Sequence, residues 1–111
     1  RVGEVARLMV DAGLIVLASF ISPSQRERDA VRQRFEPGDF AEVYVSTPLA
    51  VCEQRDTKGL YKLARAGKIG QFTGVTAPYD EPLAAELTVD TSGRTLDDCV
   101  RQVVQFILER Q

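Results

Sequence analysis

The sequence predicts an α/β fold: a parallel sheet with helices on both faces. The first indication is the run at residues 14–20, which is almost wholly apolar and shows no alternation of apolar and polar residues. A strand of this kind is buried on both faces, as in a parallel sheet covered by helices. The second indication is the alternation of predicted helices and strands along the chain, which implies right-handed crossovers between parallel strands.

Periodicity and turn residues divide the chain into a series of elements. In order, they are a helix to residue 12, a strand at 14–20, a helix at 24–35, a strand at 40–45, helices at 48–55 and 58–66, a long loop at 68–85, a strand at 86–90 and a helix from residue 95. The first helix begins without a capping residue before Arg1. We therefore expect the domain to be truncated, with at least one further strand of the sheet lying upstream.

Three boundaries have clear local signals. Gly13 is a natural terminator of the first helix. Ser24 followed by Glu27 forms a capping-box pattern at the start of the second helix. Thr47 is the predicted cap of the third helix, with Pro48 at its first position, where proline is favoured.

Composition excludes several classes of function. The chain has 14 basic and 16 acidic residues, so it lacks the basic excess of a nucleic-acid-binding domain. No apolar run approaches the length of a membrane span, and no segment resembles a signal peptide. Histidine is absent, which excludes histidine-based catalysis and the usual zinc sites. Cys52 and Cys99 fall within helical apolar patterns and are predicted to be small buried residues of a cytoplasmic protein.

A cluster of cations is the first candidate site. Lys58, Lys62 and Arg65 have the spacing i, i+4 and i+7, which places them on one face of the predicted helix at 58–66. Because that helix precedes the long loop, the three side chains suit an anionic ligand such as a phosphate or sulfate group. The alternative interpretation is an ordinary solvated helix face.

Two further candidates lie at the end of the first strand and in the long loop. Ser22 follows the strand at 14–20, and ligands bind beyond the carboxyl ends of parallel strands. Its hydroxyl is a candidate ligand contact, phosphate acceptor or helix-entry cap, but no neighbouring base supports an activated nucleophile. Phe72 lies in a glycine-flanked loop, where an aromatic ring either stacks on a purine or anchors the loop.

Seven sequence blocks together resemble one enzyme family. They are RVGEVARL (1–8), AGL (12–14), SFISP (19–23), PLAVCE (48–53), RDTKGLYK (55–62), ARAG (64–67) and FTG (72–74). These blocks resemble adenylylsulfate kinases and cover nearly the whole chain. The resemblance implies a nucleotide-kinase architecture of the P-loop NTPase type. It also implies transfer of the γ-phosphoryl group of ATP to the 3′-hydroxyl of adenosine 5′-phosphosulfate (APS).

The resemblance assigns roles to particular residues. The positions that it implies for the APS site are Ile21, Ser22, Lys58, Gln71 and Phe72. Of these, Phe72 would stack on adenine and Lys58 would hold the substrate and its developing charge. Ser22 is the position that carries phosphate in some members, so Ser22 and Lys58 are the catalytic candidates. Lys62 and Arg65 would belong to the lid over ATP. Gln71 stands where relatives commonly have glycine.

The resemblance also predicts partners and a missing part. It implies Mg²⁺ with ATP, with ligands mostly outside this chain, a homodimer, and in some proteins fusion to or association with sulfate adenylyltransferase. No G-x-x-x-x-G-K-S/T phosphate loop occurs in the chain, so residues 1–111 are interpreted as a partial kinase domain that is inactive alone. The alternative is a non-catalytic kinase-like domain that binds the activated sulfate nucleotide as a regulator.

Overall fold

The computed structural model describes residues 1–111 and contains five helices and two strands. In chain order the elements are α1 (Val2–Asp11), α2 (Gln25–Arg32), β1 (Val43–Val45), α3 (Leu49–Arg55), α4 (Leu60–Arg65), β2 (Leu87–Val89) and α5 (Leu96–Glu109). The chain divides into two compact units, Arg1–Ala41 and Glu42–Gln111, and each is described by itself. None of the helices combines the length and apolar content that crossing a membrane requires.

The first unit confirms two predicted helix boundaries. After α1, Gly13 has a φ of 92° and its N–H donates to the carbonyl of Val10 at 2.9 Å, so the helix ends there as predicted. The hydroxyl of Ser24 caps α2 by accepting a hydrogen bond from the N–H of Glu27 at 3.3 Å. That helix ends at Arg32, earlier than the predicted end near Phe35.

The strand predicted at 14–20 is wrong for this structure, because residues 14–24 form neither helix nor strand. A strand requires a hydrogen-bonded neighbour, and the chain pairs no segment with this run. Its apolar side chains stay largely exposed, with Leu17 at 76% and Phe20 at 65%. The run is apolar, which is why burial was predicted, but no other part of the chain covers it.

The second unit contains the parallel sheet. Strands β1 and β2 pair in parallel, with Val45 opposite Val89 in the register. Helix α5 packs on β2 and starts where predicted, because the Thr95 hydroxyl accepts from the N–H of Asp98 at 3.1 Å. Val89 and Cys99 are buried in this unit. Cys99 is therefore buried as predicted.

Two residues near α3 depart from their predicted roles. Thr47 does not cap α3, whose N-cap is Pro48 and lacks a side-chain hydrogen bond. The Thr47 hydroxyl instead lies 2.6 Å from the hydroxyl of Thr91 and accepts from its N–H at 3.0 Å. This contact joins the segments that follow β1 and β2. Cys52 is only half-buried, and both cysteines are free thiols.

Candidate functional site

The candidate site of the second unit is built on the turn between α3 and α4. Asp56 follows α3 directly, with a φ of 28°, and its carbonyl accepts from the N–H of Gly59 at 2.9 Å. Its carboxylate accepts two more backbone hydrogen bonds, from Tyr61 at 2.9 Å and from Lys62 at 3.1 Å. A single aspartate thus closes the turn and satisfies two N–H groups of the first turn of α4.

Lys58 lies inside this turn and not on the helix. The predicted helix at 58–66 begins two residues later, at Leu60, because Gly59 adopts a left-handed φ of 68° before it. Lys58 therefore does not share a helix face with Lys62 and Arg65, which corrects the prediction of a three-cation face. Lys58 is exposed, and no hydrogen bond or ion pair within the chain engages its ammonium group.

The two cations of α4 differ in their surroundings. Arg65 donates through Nε to the Glu53 carboxylate on α3 at 2.6 Å. This hydrogen bond, and then the charge of Glu53, raise the pKa of Arg65 above its ordinary value. Arg65 is thus paired within the chain, whereas the ammonium group of Lys62 has no such partner.

Phe72 is held by its backbone within the loop. Its carbonyl accepts from the N–H groups of Val75, Thr76 and Ala77, at 3.0, 2.8 and 2.9 Å. Its own N–H donates to the hydroxyl of Thr76 at 2.6 Å. Apart from one isolated bridge, Thr73 to Ala77, residues 68–85 form no helix or strand, as predicted. A long loop therefore presents one residue whose backbone position is well fixed.

Tyr61 supports the ring of Phe72, a contact that sequence analysis missed. The ring centroids are 5.0 Å apart, and the planes meet at 73° in an edge-to-face arrangement. In such a pair, at least one face of Phe72 is left uncovered by Tyr61. Burial, and then the neighbouring Cys52, raise the pKa of the Tyr61 phenol above its ordinary value. The available signal was the tyrosine in KGLYK, but spacing alone does not reveal which ring it contacts.

Gln71 precedes Phe72 with a φ of 49°, in the left-handed region that favours glycine. The resemblance places a glycine at this position in relatives, and the backbone here explains that preference. Gln71 is exposed.

Ile21 and Ser22 belong to the first unit. Ile21 is 67% exposed, and Ser22 has a φ of 44°. The guanidinium of Arg28 donates to the carbonyl oxygen of Ser22, and also to Gln25 at 3.0 Å. Since Ser24 caps α2, the helix-entry role considered for Ser22 is wrong.

The structure groups some of the predicted site residues and not others. Lys58 lies in the turn that Asp56 and Gly59 close, and Asp56 is linked through Tyr61 to the ring of Phe72. A shallow depression along α2 in the first unit contains none of the predicted site residues. No group of three or more His, Cys, Asp or Glu side chains is placed to hold a metal ion.

Comparison with known proteins identifies the family. The family model described as adenylylsulphate kinase matches residues 1–90. The chain belongs to the adenylylsulphate kinase family. It is 62% identical over 107 residues to an adenylyl-sulfate kinase of Shewanella sp. strain W3-18-1, covering 96% of this chain and 52% of the relative. An adenylyl-sulfate kinase of Shewanella baltica strain OS155 is 61% identical, with the same coverage. The chain thus spans about half the length of the curated relatives it matches.

A solved structure supports the fold. The Mycobacterium tuberculosis APS kinase CysC, in complex with AMPPNP and APS, superimposes with a TM-score of 0.85 at 38% identity. The match covers 96% of this chain and 62% of that chain. The expected α/β architecture of a P-loop kinase is therefore confirmed, even though the run at 14–20 is not a strand in this structure.

Proposed function

We propose that residues 1–111 are part of an adenylyl-sulfate kinase domain, which transfers the γ-phosphoryl group of ATP to the 3′-hydroxyl of APS. The observation that carries the proposal is the supported ring of Phe72, connected through Asp56 and Tyr61 to the turn that holds Lys58. It combines a flat aromatic surface with an unpaired cation in a chain of this family. Binding of a sulfated adenine nucleotide requires both the aromatic surface and the cation.

In this proposal the chain binds and orients APS. The uncovered face of Phe72 stacks on the adenine ring, since aromatic faces accept any base. Lys58, a compact charge with three donors, neutralises the sulfate or phosphate oxygens. Gln71 offers a backbone contact to the same ligand. The family resemblance also assigns Ile21 and Ser22 to APS binding.

The chemistry requires no covalent intermediate on the protein. The bond between the APS 3′-oxygen and the γ-phosphorus forms, the bond from that phosphorus to the β,γ-bridging oxygen breaks, and the hydroxyl proton is released. Such transfers depend on positioning and on stabilising charge. We therefore assign Ser22 to substrate binding and direct transfer, with the phosphoserine role as the alternative. Lys62 belongs to the lid over ATP, and Arg65 would join it after leaving Glu53.

Several partners follow from the same proposal. Mg²⁺ accompanies ATP and, when bound, reduces the negative charge of the phosphates. The protein acts in the cytoplasm as a homodimer. Association with sulfate adenylyltransferase, which makes APS, would deliver the substrate directly.

A chimera tests the proposal. In the adenylyl-sulfate kinase of Shewanella sp. strain W3-18-1, the matching 107-residue segment is replaced by that of this chain. We expect ATP-dependent formation of 3′-phosphoadenosine 5′-phosphosulfate, measured by chromatography. Phe72→Ala should raise the KM for APS about 5- to 150-fold, because a stacked base contributes about 1–3 kcal/mol.

The matched control is Phe40→Ala, which removes an aromatic pair with Phe35 in the first unit. It should leave the KM for APS unchanged. A folded chimera without product, or an unchanged KM in Phe72→Ala, would contradict the proposal. A chimera that binds APS without turnover would favour the non-catalytic regulatory domain.

A further inference from the structure

We propose that Asp56 is a positioning residue that holds Lys58 and Phe72, two proposed APS-binding groups of the second unit, in one arrangement. The inference rests on the proposed function for the identity of the ligand. The contacts that support it are independent of that function, because they are hydrogen bonds and ring packing within the chain.

The first set of contacts made by Asp56 fixes the backbone around Lys58. The hydrogen bond from the N–H of Gly59 to the carbonyl of Asp56 closes a four-residue turn, with Thr57 and Lys58 at its centre. The carboxylate of Asp56 reaches across this turn to the N–H groups of Tyr61 and Lys62. Lys58 therefore lies between two points that are both attached to Asp56, and its backbone cannot reorient without breaking these bonds.

The second set of contacts leads from Asp56 through Tyr61 to Phe72. Tyr61 is attached to Asp56 through its N–H, at 2.9 Å, and packs its ring against Phe72, at 5.0 Å between centroids. Ala64, one turn further along α4, is 2% exposed and anchors the helix. A displacement at the start of α4 would therefore move the Tyr61 ring and remove the lateral support of Phe72.

Asp56 differs from an ordinary helix cap. Ser24 and Thr95 cap α2 and α5 with one hydroxyl each, from residues with φ of −97° and −76°. Asp56 has a φ of 28°, in the region disfavoured for residues other than glycine, asparagine and aspartate. It uses its carbonyl and both carboxylate oxygens. Strained backbone of this kind concentrates at functional sites, where the surrounding contacts hold it.

The experiment uses the active chimera with Asp56→Ala and Asp56→Asn. We expect Asp56→Ala to raise the KM for APS at least about tenfold, since small misplacements of binding groups have large effects. Asp56→Asn keeps one acceptor oxygen and should recover part of the loss. Because Asp56 acts partly through Phe72, Asp56→Ala should have a smaller effect in a Phe72→Ala background.

The matched control is Thr95→Ala, which removes a helix cap elsewhere in the same unit. A merely structural role for Asp56 predicts that both alanine variants change the KM for APS equally. That result would overturn the proposal, as would an additive combination of Asp56→Ala with Phe72→Ala.

Nuclear magnetic resonance on the same chimera supplies a readout that needs no turnover. Asp56→Ala should accelerate hydrogen exchange at the Tyr61 and Lys62 amides and weaken the ring contacts between Tyr61 and Phe72. Unchanged ring contacts would overturn the proposal. If the unsubstituted chimera is inactive, the proposed function fails, but this comparison still decides whether Asp56 holds the two aromatic residues in place.

Discussion

At the scale of single residues, position 71 shows how a backbone requirement and a side chain can disagree. The φ of 49° at Gln71 lies where a Cβ is unfavourable, and asparagine, aspartate and glycine are the usual occupants. The residue is retained in this conformation because Phe72, next in the chain, is fixed by five hydrogen bonds of its backbone. The turn is therefore set by Phe72, and Gln71 adapts to it.

Replacing Gln71 tests this account. Gln71→Gly should unfold at a higher urea concentration than Gln71→Ala. Its free energy of unfolding should be larger by about 1 kcal/mol, because only glycine relieves the strain of the left-handed conformation. The alanine variant is the matched control, since both changes remove the same polar side chain. In the chimera, neither change should alter the KM for APS, because position 71 contributes through its backbone. Equal stabilities of the two variants would contradict the assignment of strain to this residue.

The sequence predicts the role of a residue only where that role follows from the residue type and its neighbours along the chain. A cation and an aromatic ring within the family's blocks predict a nucleotide site at Lys58 and Phe72. Asp56 was missed, since its role depends on backbone N–H groups five and six residues further on. The pairing of Arg65 with Glu53 likewise spans two helices. Contacts of this kind exist only once the fold has placed the elements.

At the scale of elements, the sequence predicts a helix start correctly where the capping hydrogen bond joins residues that are close along the chain. Ser24 and Thr95 each cap a helix by accepting from a residue three positions later, so sequence spacing is enough to identify them. Thr47 failed because its hydroxyl is engaged by Thr91, 44 residues away. The run at 14–20 failed for a related reason, since apolar composition specifies a strand only where another strand pairs with it.

The two-stranded sheet gives a matched test of burial. Val89 and Val45 are paired in the register, but Val89 is 3% exposed and Val45 is 61% exposed. Val89→Ala should lower the free energy of unfolding by about 2 kcal/mol, through lost apolar burial and the cavity left behind. Val45→Ala should change it by less than about 0.5 kcal/mol. Urea titrations measure both free energies of unfolding. Equal losses would contradict the difference in burial between Val89 and Val45.

At the scale of the whole molecule, the order of elements was enough to predict a parallel α/β fold. The agreement with the mycobacterial kinase, at a TM-score of 0.85, confirms it. What sequence order did not reveal is how little apolar surface this length of chain covers by itself. The buried hydrophobic residues are only Ala64, Val89 and Cys99. A chain with so small a core has a correspondingly small hydrophobic contribution to its stability.

The exposed apolar residues predict association of the 111-residue chain in solution. Leu14, Ile15, Leu17, Phe20 and Ile21 are each more than half exposed within eight consecutive positions, and contiguous patches of this kind promote self-association. Light scattering across a concentration series should therefore detect species larger than the monomer. Leu17→Lys should shift the distribution toward monomer, because it places a charge in the middle of the run. Leu83→Lys is the control, since Leu83 is 87% exposed but lies apart from that run, in the loop before β2. A monodisperse monomer with a sharp cooperative melt, or an equal effect of both substitutions, would refute the assignment of association to residues 14–21.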